Sequence, residues 1–431
     1  MPGRVNRPES HVPPVRGGDY TRRNNDCHPV SRQRTLRAPF STSCSIMPSR
    51  QDSSSKPAKF HSYPLWCPRF WHGMRLGDWM RLASENRFRI HPTRVPMAFF
   101  VSLLASFNST AARVQRWRFG QRVAETEVEA APVFILGHWR SGTTLLHELM
   151  VLDERFAYPT TYQCFAPYHF LVTEWFVARY CGFLVPRRRP MDNMAAGWHL
   201  PQEDEFAIMT MGAPSPYLRM AFPNHPEVFT ELYDMEGVEP EVAEQWEQAV
   251  VEFIRLLTFH YEKRLVLKSP PHTGRVATLE RLFPGAKFVH IVRDPYVVFA
   301  STMRLWESLD RVQGFQLPKH EDLRERVFQT FEKMYAAFEK QRAELEPNCL
   351  CDVRYEDLIT DPVGELRRVY EQLDLGDFSE VEPQIEQYRQ EHQDYRTTPH
   401  NLDEATKTEV RRRWSEFFEK YGYSEQAARI S

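Results

Sequence analysis

The sequence has few cysteines, no long hydrophobic run and almost no net charge, and each absence excludes a class of protein. Its 7 cysteines are scattered, with no Cys-x-x-Cys pair, which argues against a zinc site or a disulfide framework. The most apolar run, Pro96–Phe107, is shorter than the roughly 20 residues of a membrane-spanning helix. The net charge of −2 does not indicate a nucleic-acid partner. We therefore expect a cytoplasmic protein that binds neither a metal ion nor nucleic acid.

The N-terminal part of the chain differs in composition from the rest. Residues 1–60 contain 11 Lys/Arg and 4 Asp/Glu, with many Pro and Ser, which predicts a disordered basic tail. Translation from Met47 in place of Met1 would shorten this tail, and both starts remain open. Residues 61–130 are rich in aromatic residues and are expected to form a helical cap. Within them, Pro96–Phe107 is expected to be a buried helix, with peripheral membrane contact as the alternative.

Residues 131–431 alternate between short apolar strands and helical segments. Strands are predicted at 133–136, 265–267, 287–292 and 349–354, and an apolar residue at every third or fourth position marks a helix over 242–261. This alternation predicts an α/β domain of three layers, with a central parallel sheet covered by helices on both faces. The pattern does not indicate an oligomeric state.

The strongest local motif follows the first of these strands. Gly137 and Gly142 have the spacing of a nucleotide P-loop, in which backbone N–H groups at a helix start bind phosphate. Thr143 occupies the position of the P-loop lysine, which an NTPase needs for its β- and γ-phosphates. The only strong cation in the loop is Arg140. The loop is therefore predicted to bind an anion without Mg²⁺, through Arg140, Ser141, Gly142, Thr143 and Thr144.

A second motif follows the strand 287–292. Asp294 is a typical N-cap residue and Pro295 a typical first helical residue, so a helix begins directly after the strand. Arg293 then lies at the carboxyl edge of the sheet, where open α/β folds bind ligands. Ser301, about two turns into that helix, is expected to reach the same ligand.

Together the two motifs resemble those of the sulfotransferases that use 3′-phosphoadenosine-5′-phosphosulfate (PAPS). Arg140-Ser-Gly-Thr-Thr144 resembles the 5′-phosphosulfate loop of the tyrosylprotein and bacterial carbohydrate-type enzymes. Arg293 and Ser301 match the family's 3′-phosphate ligands. The resemblance covers about residues 131–375 and implies transfer of a sulfuryl group to a hydroxyl or amine of a carbohydrate, lipid or small molecule.

The resemblance also implies catalytic residues. Lys268 resembles the lysine of Asn-Lys-Asp-Pro in the tyrosylprotein enzymes, and Arg140 and Lys268 would stabilise charge on the leaving phosphate. The family's glutamate is missing from Pro159–Gln163, so the base must lie elsewhere. We expect Glu205 to be the base, with Glu203 and His199 as alternatives.

Two other functions remain open at this stage. A P-loop kinase or NTPase is disfavoured by Thr143, and a nucleotide-binding protein without catalysis is favoured only by the missing glutamate.

Overall fold

The computed structural model of the chain describes residues 67–185, 196–392 and 402–423. The predicted basic tail, residues 1–60, lies outside these ranges. Five strands in the described residues form one parallel sheet, in the order β2-β3-β1-β4-β5. The predicted parallel sheet is thereby confirmed, with one strand, β2, that the sequence pattern did not indicate. The bounds of the strands are Val133–Leu136 (β1), Phe156–Ala157 (β2), Arg264–Lys268 (β3), Lys287–Val292 (β4) and Leu350–Arg354 (β5).

Helices lie on both sides of this sheet, as the three-layer prediction requires. The α-helices of the described residues are Leu76–Glu85 (α1), Val95–Ala124 (α2), Thr143–Met150 (α3), Thr161–Phe165 (α4), Phe170–Tyr180 (α5), Asp204–Thr210 (α6), Pro240–Tyr261 (α7), Val276–Leu282 (α8), Pro295–Gln313 (α9), Leu323–Gln341 (α10), Tyr355–Thr360 (α11), Pro362–Leu373 (α12), Glu382–Glu391 (α13), Glu404–Arg413 (α14) and Ser415–Lys420 (α15).

Strand β1 shows how the sheet separates two hydrophobic cores. All four of its side chains are buried. Phe134 and Leu136 belong to one core, whereas Val133 and Ile135 belong to the other. This division follows from the strand's geometry, because successive side chains point to opposite faces of a sheet. A strand buried on both faces is continuously apolar, which is why β1 was predictable from sequence.

The helical region at the N-terminus, α1 and α2, packs on the core that contains Phe134. Trp71 and Trp79 are almost fully buried there, and the Trp79 ring lies 4.7 Å from the ring of Phe315. Burial of such large apolar side chains is the main stabilising contribution of this region. The helical cap predicted for the fold therefore shares a core with one face of the sheet.

Candidate active site

The phosphate loop between β1 and α3 depends on two glycines. Gly137 has φ 137°, and a Cβ there would lie 2.5 Å from the Ile291 carbonyl oxygen. Gly142 has φ 107°, and a Cβ there would lie 2.4 Å from the Tyr355 ring. Side chains other than hydrogen are excluded at both positions by conformation and by space. The turn therefore brings the backbone close to β4 and α11, at the carboxyl edge of the sheet.

Helix α3 begins directly after this turn. Gly142 is its N-cap and supplies no side-chain hydrogen bond to the first turn. Thr143 and Thr144 are the first two residues of α3, so their hydroxyl groups lie at the helix start. Thr143 is buried and Thr144 is half-buried. The Ser141 hydroxyl donates to the His138 carbonyl oxygen at 2.8 Å, which holds the loop in its tight form. First-turn N–H groups and the helix dipole make this position suitable for an anion.

The structure brings the predicted cations to the same place. Arg140 adopts a left-handed backbone conformation, with φ 71°, and its Nε donates to Ser301 Oγ at 2.8 Å. Arg293 Nη1 donates to the Arg140 carbonyl oxygen at 3.3 Å, and its guanidinium lies 4.0 Å from the centre of the Tyr355 ring. Two motifs about 150 residues apart thus converge on one surface at the end of β1 and β4. Arginine is well suited to bind phosphate there because its donors form a planar fork.

Lys268 lies beside the loop, at the end of β3. Its Cα pairs in register with Ile135 of β1, two residues before the phosphate loop. Lys268 Nζ donates to Glu203 Oε1 at 2.8 Å, and the Tyr217 hydroxyl donates to Glu203 Oε2 at 2.7 Å. Trp139 Nε1, from the loop itself, donates to the Tyr217 hydroxyl at 2.9 Å. A hydrogen-bonded chain therefore runs from the phosphate loop to the Glu203 carboxylate.

Tyr217 acts as a donor within this chain. Burial raises its pKa well above the usual value, and the adjacent Glu203 carboxylate raises it further. The phenol is therefore protonated at neutral pH and holds one carboxylate oxygen of Glu203 in place. Nothing in the sequence around Tyr217, Ser-Pro-Tyr-Leu-Arg, indicated this contact, because its partner lies 14 residues away on another element.

Glu205, the residue expected to be the base, does not face the cleft between Arg140, Lys268 and Ser301. Its side chain is fully buried, where Oε2 accepts from Arg275 Nη1 at 2.6 Å and Oε1 accepts from the Ser215 hydroxyl at 2.6 Å. Arg275 is equally buried and its guanidinium stacks on the Trp246 ring, 4.6 Å from the ring centre. The structure corrects the expected placement: Glu205 forms an internal ion pair, whereas Glu203 contacts Lys268.

Asp204, which lies between these two glutamates, is also held by contacts inside the protein. Its oxygens accept from Ser269 Oγ at 2.9 Å and contact His272 Nε2 at 2.6 Å. Burial alone would raise the pKa of Asp204, but His272 and the Ser269 hydroxyl together hold it below its usual value. These contacts fix the start of α6 against the end of β3, and thereby position Glu203. His199, the third candidate, is exposed.

Comparisons with known proteins agree with this geometry. A model of the Sulfotransferase family matches residues 132–380, more than half of the chain, and the protein belongs to this family. It is a sulfotransferase enzyme, and the kinase alternative no longer applies.

Particular relatives place the chain more narrowly. It is 44% identical to omega-hydroxy-beta-dihydromenaquinone-9 sulfotransferase Stf3 of Mycobacterium bovis over 371 residues, which cover 86% of this chain and 95% of the relative. The Stf3 protein of Mycobacterium tuberculosis matches equally well. Among solved structures, sulfotransferase STF9 of Mycobacterium avium shares the fold, with a TM-score of 0.58, 18% identity and coverage of 81% of this chain and 96% of that one. Sulfotransferase STF1 of Mycobacterium tuberculosis aligns with a TM-score of 0.54 and 18% identity, over 79% of this chain and 91% of that one.

Proposed function

We propose that the protein transfers the sulfuryl group of PAPS to a terminal hydroxyl of a quinone lipid. The acceptor class is supported by the relative at 44% identity, which is named for a hydroxylated dihydromenaquinone. The observation that carries the chemistry is the contact of 2.8 Å between Lys268 and Glu203, one strand away from the phosphate loop. A cation for the leaving group and a carboxylate for the incoming group are thus side by side.

The residues at the sheet edge fit the two ends of the donor. Arg140, Thr143, Thr144 and the first-turn N–H groups of α3 would bind the 5′-phosphosulfate, because these donors surround one loop. Arg293 would bind the 3′-phosphate together with Ser301, whose hydroxyl already contacts Arg140. No cluster of three or more His, Cys, Asp or Glu side chains suited to a metal ion occurs in the described ranges.

The transfer itself requires one proton to leave the acceptor. The acceptor hydroxyl oxygen forms a bond to sulfur, the bond between sulfur and the bridging phosphate oxygen breaks, and 3′-phosphoadenosine-5′-phosphate (PAP) leaves. Lys268 would stabilise the negative charge that develops on the bridging oxygen. Once Lys268 turns to that oxygen, the Glu203 carboxylate is available to accept the hydroxyl proton.

Transfer assays with purified full-length protein test the proposal. ³⁵S-labelled PAPS is supplied with a hydroxylated polyprenyl quinone in detergent, and the parent quinone that lacks the hydroxyl is the matched control. We expect label in the hydroxylated lipid alone. In a parallel assay a sugar such as trehalose replaces the lipid, and label in the sugar with none in the lipid would assign the enzyme to carbohydrate acceptors. Transfer to the lipid from a ³⁵S-labelled aryl sulfate, with none from PAPS, would overturn the role of PAPS.

A further inference from the structure

The outer side of α2 is apolar although it faces solvent. Its exposed side chains recur at intervals of three, four or seven positions: Phe99, Leu103, Phe107, Val114 and Trp117, the last of which is 86% exposed. This spacing places them in one stripe along the helix. Between Phe99 and Trp117 the stripe is about 27 Å long, at roughly 1.5 Å per residue. The expectation of a buried helix is therefore wrong for this side of α2.

The opposite side of α2 is attached to the rest of the protein. Val101 and Ala105 are fully buried. The Asn108 side chain donates to the His72 and Met74 carbonyl oxygens at 2.7 and 3.0 Å, and Gln115 accepts from the Leu171 N–H at 2.9 Å. Because one side of α2 makes these buried contacts and the other side is exposed, the helix lies on the surface of the protein.

By length and composition alone, one helical stretch in the described residues, Pro92–Ala124, is long and apolar enough to cross a membrane. Its most apolar window has a mean hydropathy of 1.4 and is 28% buried. The contacts of Asn108 and Gln115 favour a helix that lies in the plane of the membrane surface, because crossing it would strip these groups from their partners.

A second exposed apolar group lies on the neighbouring helix. Trp175, Phe176 and Tyr180 of α5 and Phe183 just beyond it are between 49% and 71% exposed. The two helices are in contact, since the Phe107 ring lies 6.2 Å from the His169 ring at the start of α5. Exposed apolar side chains in such number on two packed helices are unusual for a monomeric soluble protein and mark an interaction site. We call the exposed apolar side chains of α2 and of α5 to Phe183 the apolar face.

The charges on α2 indicate the partner. The helix contains no Asp or Glu, and its only charged residues are Arg113, Arg116, Arg118 and Arg122, with acidic residues resuming after its end at Glu125. Arginines beside an apolar stripe with an exposed tryptophan are typical of helices that bind membranes with anionic headgroups.

The apolar face also connects to the active site. The Trp198 indole N–H donates to the Cys181 carbonyl oxygen, at the end of α5, at 2.9 Å. Trp198 precedes Glu203 by five residues, and Pro201, between them, forms a β-bridge with Thr160. The segment that carries the carboxylate beside Lys268 is thus tied to the end of α5.

We propose that the apolar face binds the surface of an anionic lipid bilayer and so gives the active site access to an acceptor dissolved in the membrane. The reason for docking rests on the proposed lipid acceptor, whereas the binding itself can be measured without any acceptor.

Vesicle co-sedimentation of the full chain tests this surface. Two vesicle compositions are compared, pure phosphatidylcholine and phosphatidylcholine with phosphatidylglycerol. We expect binding to the anionic vesicles, and a loss of about 30-fold in the double variant Phe107→Gln/Trp117→Gln, because two large apolar groups no longer leave water. The matched control, Leu317→Gln/Ile359→Gln, replaces two side chains that are 50% and 52% exposed outside the apolar face, and should bind normally. Equal PAP affinity in all proteins would show that the variants are folded.

Two further measurements address charge and site. Arg116→Gln/Arg118→Gln should weaken binding to anionic vesicles and leave any binding to neutral ones unchanged. The Trp117 emission, taken as the difference between the wild type and Trp117→Phe, should shift to shorter wavelength when anionic vesicles are added.

The proposal is overturned if the wild type binds neither vesicle, or if the double variant and the control bind alike. Self-association of the wild type that the double variant abolishes, without vesicle binding, would show that a second copy covers the apolar face. Sulfation of the lipid in detergent without vesicle binding would refute docking alone. Vesicle binding without sulfation of any lipid would refute the proposed acceptor alone.

Discussion

Two glutamates two residues apart should respond in opposite ways to the same substitution. In Glu205→Gln the fully buried Arg275 guanidinium loses its carboxylate partner, from which it is 2.6 Å away in the structure. Removal of one member of a buried ion pair costs about 3–5 kcal/mol, so for a chain of this length we expect a melting temperature lower by about 3–6 °C. Turnover per folded molecule should change little, because Glu205 faces the internal ion pair.

Glu203→Gln should show the reverse pattern. Glutamine keeps the size of the side chain, but only its carbonyl oxygen can accept, so it keeps the hydrogen bond from Lys268 or the one from Tyr217, and it cannot accept a proton at neutral pH. Loss of a general base lowers turnover by about 10²–10⁴, which corresponds to about 3–5 kcal/mol of transition-state stabilisation. PAP should bind Glu203→Gln at least as tightly as the wild type, because the nucleotide supplies the negative charge that Lys268 has lost.

Three measurements on each variant separate these outcomes: transfer of ³⁵S from PAPS, the melting temperature, and calorimetric PAP affinity. Thermal melting with saturating PAP gives an internal check, since a native-state ligand stabilises only a protein that binds it. The reasoning is refuted if Glu203→Gln retains turnover while Glu205→Gln loses it with an unchanged melting temperature. In that case Glu205 would be the base despite its contacts with Arg275 and Ser215.

Further predictions concern the nucleotide site and the pH response. Arg293→Ala should weaken PAP binding by about 2–4 kcal/mol in calorimetry and scarcely affect adenosine 5′-phosphate, since only the 3′-phosphate loses its charged partner; equal losses on both ligands would assign Arg293 to the fold. Gly142→Ala should abolish PAP binding or soluble expression, because φ is 107° and the new methyl group meets the Tyr355 ring; normal PAP affinity would contradict the strict need for glycine. Burial raises the pKa of Glu174 to about 7, although hydrogen bonds from Gln163 and Thr160 act in the opposite direction. The folded protein therefore binds this proton more tightly than the unfolded chain does. As the pH rises from about 4.5 to 7, ionisation of Glu174 lowers the free energy of unfolding. Glu174→Gln should therefore raise the melting temperature more at pH 8 than at pH 5, and a gain independent of pH would exclude this cause.

The local motifs of this protein could be found from sequence because their signals are short in range. Strands β1 and β4 were predicted with their observed bounds, since β1 is a continuous apolar run that ends at Gly137, and β4 is a mostly apolar run that ends at Arg293. The phosphate loop followed from the spacing of Gly137 and Gly142. Strand β2, only two residues long, has too little pattern to be recognised. The sequence therefore predicts well the longer strands and the functional residues that follow them.

The exposure of α2 illustrates what such patterns leave open. Apolar residues occur on both sides of this helix, so Val101 and Phe99 look alike in sequence. The first is fully buried and the second is 65% exposed, because only one side of the helix meets α1, α5 and α7. Whether a side of a helix is buried depends on the elements that pack against it. When both sides are apolar, the sequence of the helix does not show which side those elements cover.

The sequence by itself determined four of the five strands, the phosphate loop and the cations at the strand ends, because these depend on apolar runs, glycines and spacing. Only the tertiary structure decided which glutamate lies beside Lys268. Glu203 is the extended N-cap residue of α6, whereas Glu205 is the second residue within the helix, so their side chains leave the backbone in different directions. One therefore faces the phosphate loop and the other faces Arg275, whose position 70 residues further along the chain is set by packing.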